Sequence, residues 1–160
     1  MSETAMAPSG EREEALHLFV VLARSAASVA RRPALHVARH GLTPGDFAVL
    51  EALYHKGPML LGEVQKKILV SSGGVTYLVD RLERLGLVER RSCPGDRRAK
   101  FAALTGAGAE LMERVFPSHA AAIEEAVSGL TRAERRTVTR LLRKLGLAAA
   151  KLEPAEETEP

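Results

Sequence analysis

Residues 71–105 read SSGGVTYLVDRLERLGLVERRSCPGDRRAKFAALT, and this stretch decides the fold. Val75, Leu78, Val79, Leu82 and Leu85 fall on one helical stripe by their spacing. Ser71 or Ser72 can cap the start, since a hydroxyl accepts from a free backbone N–H two or three residues on. Gly86 stands where a helix stop is expected. The other face presents Gly73, Thr76, Tyr77, Asp80, Arg81 and Arg84. Gly73 and Gly74 would let the backbone come close to a phosphate. Taken alone, the segment is equally an ordinary amphipathic helix with a solvated face.

The residues after Gly86 change that balance. Residues 87–91 (LVERR) are β-capable, residues 92–96 (SCPGD) are a turn by composition, and residues 100–104 (KFAAL) return as a second strand. Thr105 then caps a helix. Arg90, Arg91, Arg97, Arg98 and Lys100 gather on this hairpin. Arginine makes bidentate contacts with phosphate and reaches into a narrow minor groove. Asp96 can orient Arg98 by a charge-assisted hydrogen bond. The plainer alternative is a solubilising hairpin tip. The order helix, strand, charged turn, strand suits a protein that puts one element into the major groove of duplex DNA and grips the flanking backbone with the other.

These residues resemble the winged helix-turn-helix of the MarR family of bacterial transcription regulators. The resemblance is carried by VTYLVDRLERLGLVER, by Asp96-Arg97-Arg98, and by Leu104-Thr105 following Arg98, and it extends over about residues 11–150. The motifs VTYLVDRLE, CPGDRR and FPSH are similar to the family's quinone- and phenol-responsive branch. The resemblance implies a homodimer, an operator with two half-sites, and control by a small aromatic ligand or an oxidant. It also implies a ligand pocket between the dimer lobe and the winged domain. Candidates there are His36, His40 and Phe47, with Met112 or Phe116 from a later helix; each can equally be plain core or surface.

Composition narrows the remaining classes. The chain has 160 residues, enough for one domain with a dimerisation lobe. Its net charge is +3, but the distribution says more. Residues 63–100 carry nine Lys or Arg against five Asp or Glu, whereas residues 151–160 carry one Lys and four Glu. The basic character therefore lies in the expected reading head. One cysteine excludes an intrachain disulfide and a Cys-based zinc motif. The opening MSETAMAPSGEREE lacks the layout of a signal peptide, and residues 16–23 are too short to span a membrane. A soluble cytoplasmic protein without a cofactor is expected. No GxSxG, glycine-rich phosphate loop or paired carboxylates in an apolar setting supports an enzyme.

Along the chain, residues 11–31 are helical by pattern, with Pro33 expected to kink or break the helix and a second short piece able to run over 34–39. Leu42-Thr43-Pro44-Gly45-Asp46-Phe47 is a helix start with Thr43 as N-cap, Pro44 at N1 and a Leu42–Phe47 staple. A short helix over 61–68 lacks a Ser or Thr cap at Met59-Leu60. After the hairpin, a helix over 105–116 is expected to be interrupted by Pro117, and Thr131 with Glu134 opens the last one. The first and last helices carry more apolar surface than a small winged domain can cover, which points to a two-fold dimer and a pseudo-palindromic site.

The expected fold is mainly α with a small β-wing: a winged helix-turn-helix plus a helical dimerisation lobe. Residues 1–10 and 151–160 form tails expected to be disordered, the second acidic. Residues 11–41 and 105–150 form the dimer lobe, and residues 42–104 form the DNA-binding domain. Ser71, Ser72, Gly73, Thr76, Tyr77 and Arg81 are expected in the major groove. Arg97 and Arg98 hold backbone or minor groove, with Asp96 orienting one of them. The expected function is a repressor of double-stranded DNA targets, released by a phenolic or quinone-like effector. Two alternatives stand. Cys93, between arginine pairs that favour thiolate, could be a redox switch, although the resemblance places the reactive cysteine of the family's peroxide sensors near the first helix. The winged module could also bind another protein. His36 and His40, four apart, could pair on a metal, but no acidic residue accompanies them.

Overall fold

The computed structural model describes residues 9–68, 72–93 and 96–152; the side chains at 9, 72, 93 and 96–99 lie outside that description. The described elements are α1 (Ser9–Ala38), α2 (Pro44–Lys56), β1 (Met59–Leu60), α3 (Leu61–Ile68), α4 (Ser72–Arg84), β2 (Val88–Cys93), β3 (Asp96–Leu104), α5 (Gly106–Ala126) and α6 (Arg132–Ala149). The order matches a winged helix-turn-helix: α3 and α4 are the two short helices, and β2 with β3 is the wing.

Helix starts follow the side chains. Thr43 accepts from Asp46 N–H (3.1 Å) while Asp46 accepts from Thr43 N–H (2.8 Å), a capping box. Thr131 and Glu134 do the same for α6, and Thr105 accepts from Gly108 N–H for α5. The first turn of α3 is capped from within. Glu63 accepts from Leu60 N–H (3.0 Å), so the absent Ser or Thr is not needed. Met59-Leu60, by sequence the approach to a helix, is instead a strand paired with Ala102 and Phe101.

Both proline breaks fail to appear. α1 runs on through Pro33 and α5 through Pro117. A mid-helix proline frees the carbonyl four residues back. Those carbonyls belong to Val29 and Glu113, both exposed residues, where water can take the lost bond. α1 also starts at Ser9, within the stretch expected to be a tail.

Three antiparallel strands make the sheet, in the order β1-β3-β2. The wing strands are longer than the composition suggested, because pairing extends from Val88↔Leu104 to Cys93↔Asp96 with an irregularity between Ser92 and Cys93. The core beneath them joins Leu50, Leu53 and Val49 of α2, Val64 of α3, Val75, Val79 and Leu82 of α4, Val88, Ala102, and Met112 with Val115 of α5. Burying a side chain such as Leu50 or Leu82 contributes about 1.5–3 kcal/mol. Leu85, assigned by spacing to the α4 stripe, is 49% exposed. The helix ends one residue earlier, where Gly86 at φ 71° reverses the chain. Leu87 N–H then returns to Leu82 carbonyl and Gly86 N–H to Glu83 carbonyl, a Schellman closure. Thr105 locks the same corner by donating to the Gly86 carbonyl (2.7 Å). Here α5 approaches so closely that a Cβ on Gly108 would lie 2.0 Å from the Leu87 carbonyl oxygen.

The outer helices differ from this core. α6 buries none of its residues. Leu16, Phe19, Val20, Val138, Leu141, Leu142 and Leu145 are all exposed. No described helix is long and apolar enough to cross a membrane.

Candidate nucleic-acid interface

α4 turns Val75, Val79 and Leu82 into the core. Gly73, Thr76, Tyr77, Asp80 and Arg84 are left exposed on the other side. Tyr77 is 61% exposed. Thirteen helical residues span about 20 Å, and a helix of this width fits a major groove, where hydroxyl, phenol and guanidinium groups can meet base edges. Ser71, and the side chain of Ser72, lie outside the described residues. So do the side chains of Asp96, Arg97, Arg98 and Cys93.

Arg81 does not join the exposed face. Its Nε donates to Asp46 Oδ2 (3.0 Å) and one terminal nitrogen to the Gly41 carbonyl (3.4 Å). Asp46 is fully buried, and a buried carboxylate requires a counter-charge. Spacing alone put Arg81 with Thr76 and Tyr77. The structure instead makes it a strut from α4 to the start of α2.

The wing's cations divide in the same way. Arg90 contacts both Asp80 (2.7 Å) and Glu83 of α4, and its backbone N–H donates to Glu83 (3.0 Å). It therefore fastens the wing to the helix. Arg91 pairs with Glu89 (2.6 Å), and Lys100 Nζ donates to Ser92 Oγ (3.1 Å). Arg90 and Arg91 are thus ion-paired within the wing and to α4, and the expected phosphate grip of Arg97 and Arg98 lies outside the described side chains.

A second cluster sits where α1, α2 and α5 meet. The Phe47 and His119 rings are 4.1 Å apart, His119 and His36 5.6 Å, and His36 and His40 5.2 Å. Ser118 donates its hydroxyl hydrogen to the Val115 carbonyl. It therefore accepts from His36 Nε2 at 3.0 Å, which makes His36 the Nε2–H tautomer. The His36 and His119 Nδ1 atoms are buried and lack a partner among the described residues. Burial lowers both pKa values. His40 and Arg39 lower that of His36 further; at His119, Glu51 opposes the shift and His36 adds to it. Beside His36 lies an open cleft of about 300 Å³ lined by Arg32, Arg39, Ser118 and Glu125 among others. Arg32 and Glu125 form an ion pair across it.

Of the ligand candidates, His36, His40 and Phe47 thus come together. Met112 is fully buried core. Phe116 stands apart, against Tyr54 and His55 near the other end of α2 (5.8 and 4.8 Å). His119 joins this cluster although the sequence did not group it with His36, His40 and Phe47. The pairing of His119 with Phe47 depends on α5 crossing α2, which no local spacing reports. Among the described residues no group of three or more His, Cys, Asp or Glu could hold a metal ion.

Comparison with known proteins agrees with this architecture. The MarR family model matches residues 40–99. The HTH-type transcriptional regulator MhqR of Bacillus subtilis is 44% identical over 137 residues, covering 86% of this chain and 94% of MhqR. A mutant MarR from E. coli complexed with operator DNA superposes with a TM-score of 0.73 at 25% identity, covering 82% of this chain and 95% of that one. Bordetella bronchiseptica BpsR, described for regulation of its DNA binding by 6-hydroxynicotinic acid, superposes with a TM-score of 0.72 at 25% identity, covering 91% and 98%. The chain belongs to the MarR family of winged-helix, DNA-binding transcriptional regulators.

Proposed function

We propose that this regulator is a homodimeric repressor acting in the cytoplasm and released from a pseudo-palindromic operator by a small aromatic effector of phenolic or quinone type. In this reading Ser71, Ser72, Gly73, Thr76 and Tyr77 enter the major groove. Arg97 and Arg98, with Asp96 orienting one of them, hold the backbone or minor groove. The observation that carries effector control is the Phe47–His119–His36 cluster, where two buried ring nitrogens have no described partner. In neutral histidine one ring nitrogen donates and the other accepts; with Nε2–H of His36 given to Ser118, its Nδ1 is an acceptor. A phenolic hydroxyl could donate to that nitrogen while its ring lies within the Phe47–His119 cluster.

The adjacent residue supplies a route to the DNA. Phe47 follows Asp46, and Asp46 holds Arg81 of the reading helix. A ligand that shifts Phe47 would move the α2 start, and with it the strut that positions α4. Its effect on operator binding is limited to its differential affinity for the two arrangements, typically about 1–3 kcal/mol.

The test is selection of bound duplex from a random pool, repeated with a panel of phenols and quinones. We expect a two-fold-symmetric motif with half-sites about 10 bp apart, and release by at least one compound. Release should weaken in His119→Gln and persist in Cys93→Ser. Loss of all induction in Cys93→Ser, with DNA affinity kept, would favour a thiol switch instead.

A further inference from the structure

α6 carries Arg132, Arg135, Arg136, Arg140, Arg143 and Lys144 along one continuous exposed face. Its apolar residues Val138, Leu141, Leu142 and Leu145 lie opposite, centred roughly half a turn away at 100° per residue. The helix has a single carboxylate, Glu134, and the Thr131 cap engages it. No acidic residue therefore stands three or four positions from Arg136, Arg140 or Arg143 on the same helix. Like charges at that spacing destabilise a helix. Arg132–Arg136, Arg136–Arg140 and Arg140–Lys144 are all such pairs. This concentration of charge, with no counter-charge on the helix, marks a surface for an acidic partner.

An acidic segment comes directly after it in the chain. Residues 153–160, outside the described residues, read EPAEETEP: Glu153, Glu156, Glu157 and Glu159 in eight positions, without a cation. Pro154 opposes continuation of the helix. From Pro154 to Glu159 an extended chain reaches about 17 Å. From Leu152 back to Arg140 the helix axis measures about 18 Å. A chain reversing at Pro154 can thus lay Glu156, Glu157 and Glu159 beside Lys144, Arg143 and Arg140.

We infer that residues 153–160 dock back along the basic face of their own α6, as a tethered counter-ion that keeps this face from capturing nucleic acid without regard to sequence. The tether supplies an effective concentration of order millimolar. The contacts are exposed, so docking weakens as salt shortens the screening length to about 3 Å at 1 M. This does not depend on the proposed effector or its cluster.

The test uses full-length ¹⁵N-labelled protein with a nitroxide at Thr158→Cys in a Cys93→Ser background. Broadening of the backbone signals of Arg140, Arg143 and Lys144 is expected at low salt and should vanish at 1 M NaCl. A sample mixing nitroxide-bearing unlabelled chains with ¹⁵N chains lacking nitroxide separates the sources. Broadening confined to the first sample is expected; broadening that persists in the mixed sample would give the face to another copy's tail and overturn the assignment, and none in either would overturn docking. Changing all four glutamates to glutamine should raise affinity for random-sequence duplex about fivefold at low salt. An unchanged affinity would remove the counter-ion role.

Discussion

The winged core and the outer helices are built on opposite terms. In the core, the starts of α2, α3 and α5 and the end of α4 are closed by named side chains or turns, and Leu50, Leu53, Val64, Val79, Leu82 and Met112 are almost wholly out of solvent. In α1 and α6 the stripes are just as regular, yet Leu16, Phe19, Leu141 and Leu145 face outward. The first region is completed within one chain. The second leaves its apolar stripes uncovered within one chain, as the proposed dimer requires. Stability should therefore depend on protein concentration in the outer helices and not in the core.

The largest expected effect lies at the corner joining the two regions. Gly108→Ala would drive a Cβ against the Leu87 carbonyl, which is backbone and cannot swing aside. We expect at least about 3 kcal/mol of destabilisation, by analogy with severe overpacking. A denaturation midpoint within error of wild type would show that α5 can shift freely away from the wing.

Next comes the core against the lobe. Leu50→Ala should cost about 3 kcal/mol, with the loss the same at every protein concentration. Leu141→Ala with Leu142→Ala should leave the dilute protein nearly as stable, but abolish the rise of Tm with concentration expected of a dimer. Sedimentation decides the second case. A wild-type chain that stays monomeric at micromolar concentration would break the comparison outright.

Asp46→Asn probes the strut. Removing the charge leaves Arg81 facing a neutral amide and weakens the α2 cap, with an expected loss of about 2 kcal/mol. Operator affinity should fall with it, whereas Thr43→Ala should cost about 1 kcal/mol and alter affinity less. Equal effects on DNA binding would mean that Arg81 positions nothing.

The smallest effect is with pH. His36 and His119 have lowered pKa values, chiefly through burial. The unfolded chain therefore binds protons more readily below its ordinary histidine pKa near 6.5. The stability of the neutral forms is complete above that value and is lost as pH falls through the window beneath it. Tm should decline from pH 7 toward 5.5, and decline less in His119→Gln. The variant's slope matching wild type would place the titration elsewhere.

Local patterning determined much of this protein. The α2 start, the α4 stripe, the Gly86 stop, the Thr105 and Thr131 caps and the hairpin are written in residues a few positions apart, because capping and helical periodicity act over one or two turns. The excess apolar surface of the outer helices was legible for the same reason. Other features were decided only by tertiary structure. Pro33 and Pro117 were tolerated because the carbonyls they free belong to exposed residues. Met59-Leu60 became a strand because β3 offered it an edge. Arg81 and Arg90 left the reading surface because Asp46, Asp80 and Glu83 lay within reach once the chain had folded. His119 met Phe47 across 72 positions because α5 crosses α2. A charged or aromatic side chain is claimed by its nearest partner in space, and spacing along the chain does not say which partner that will be.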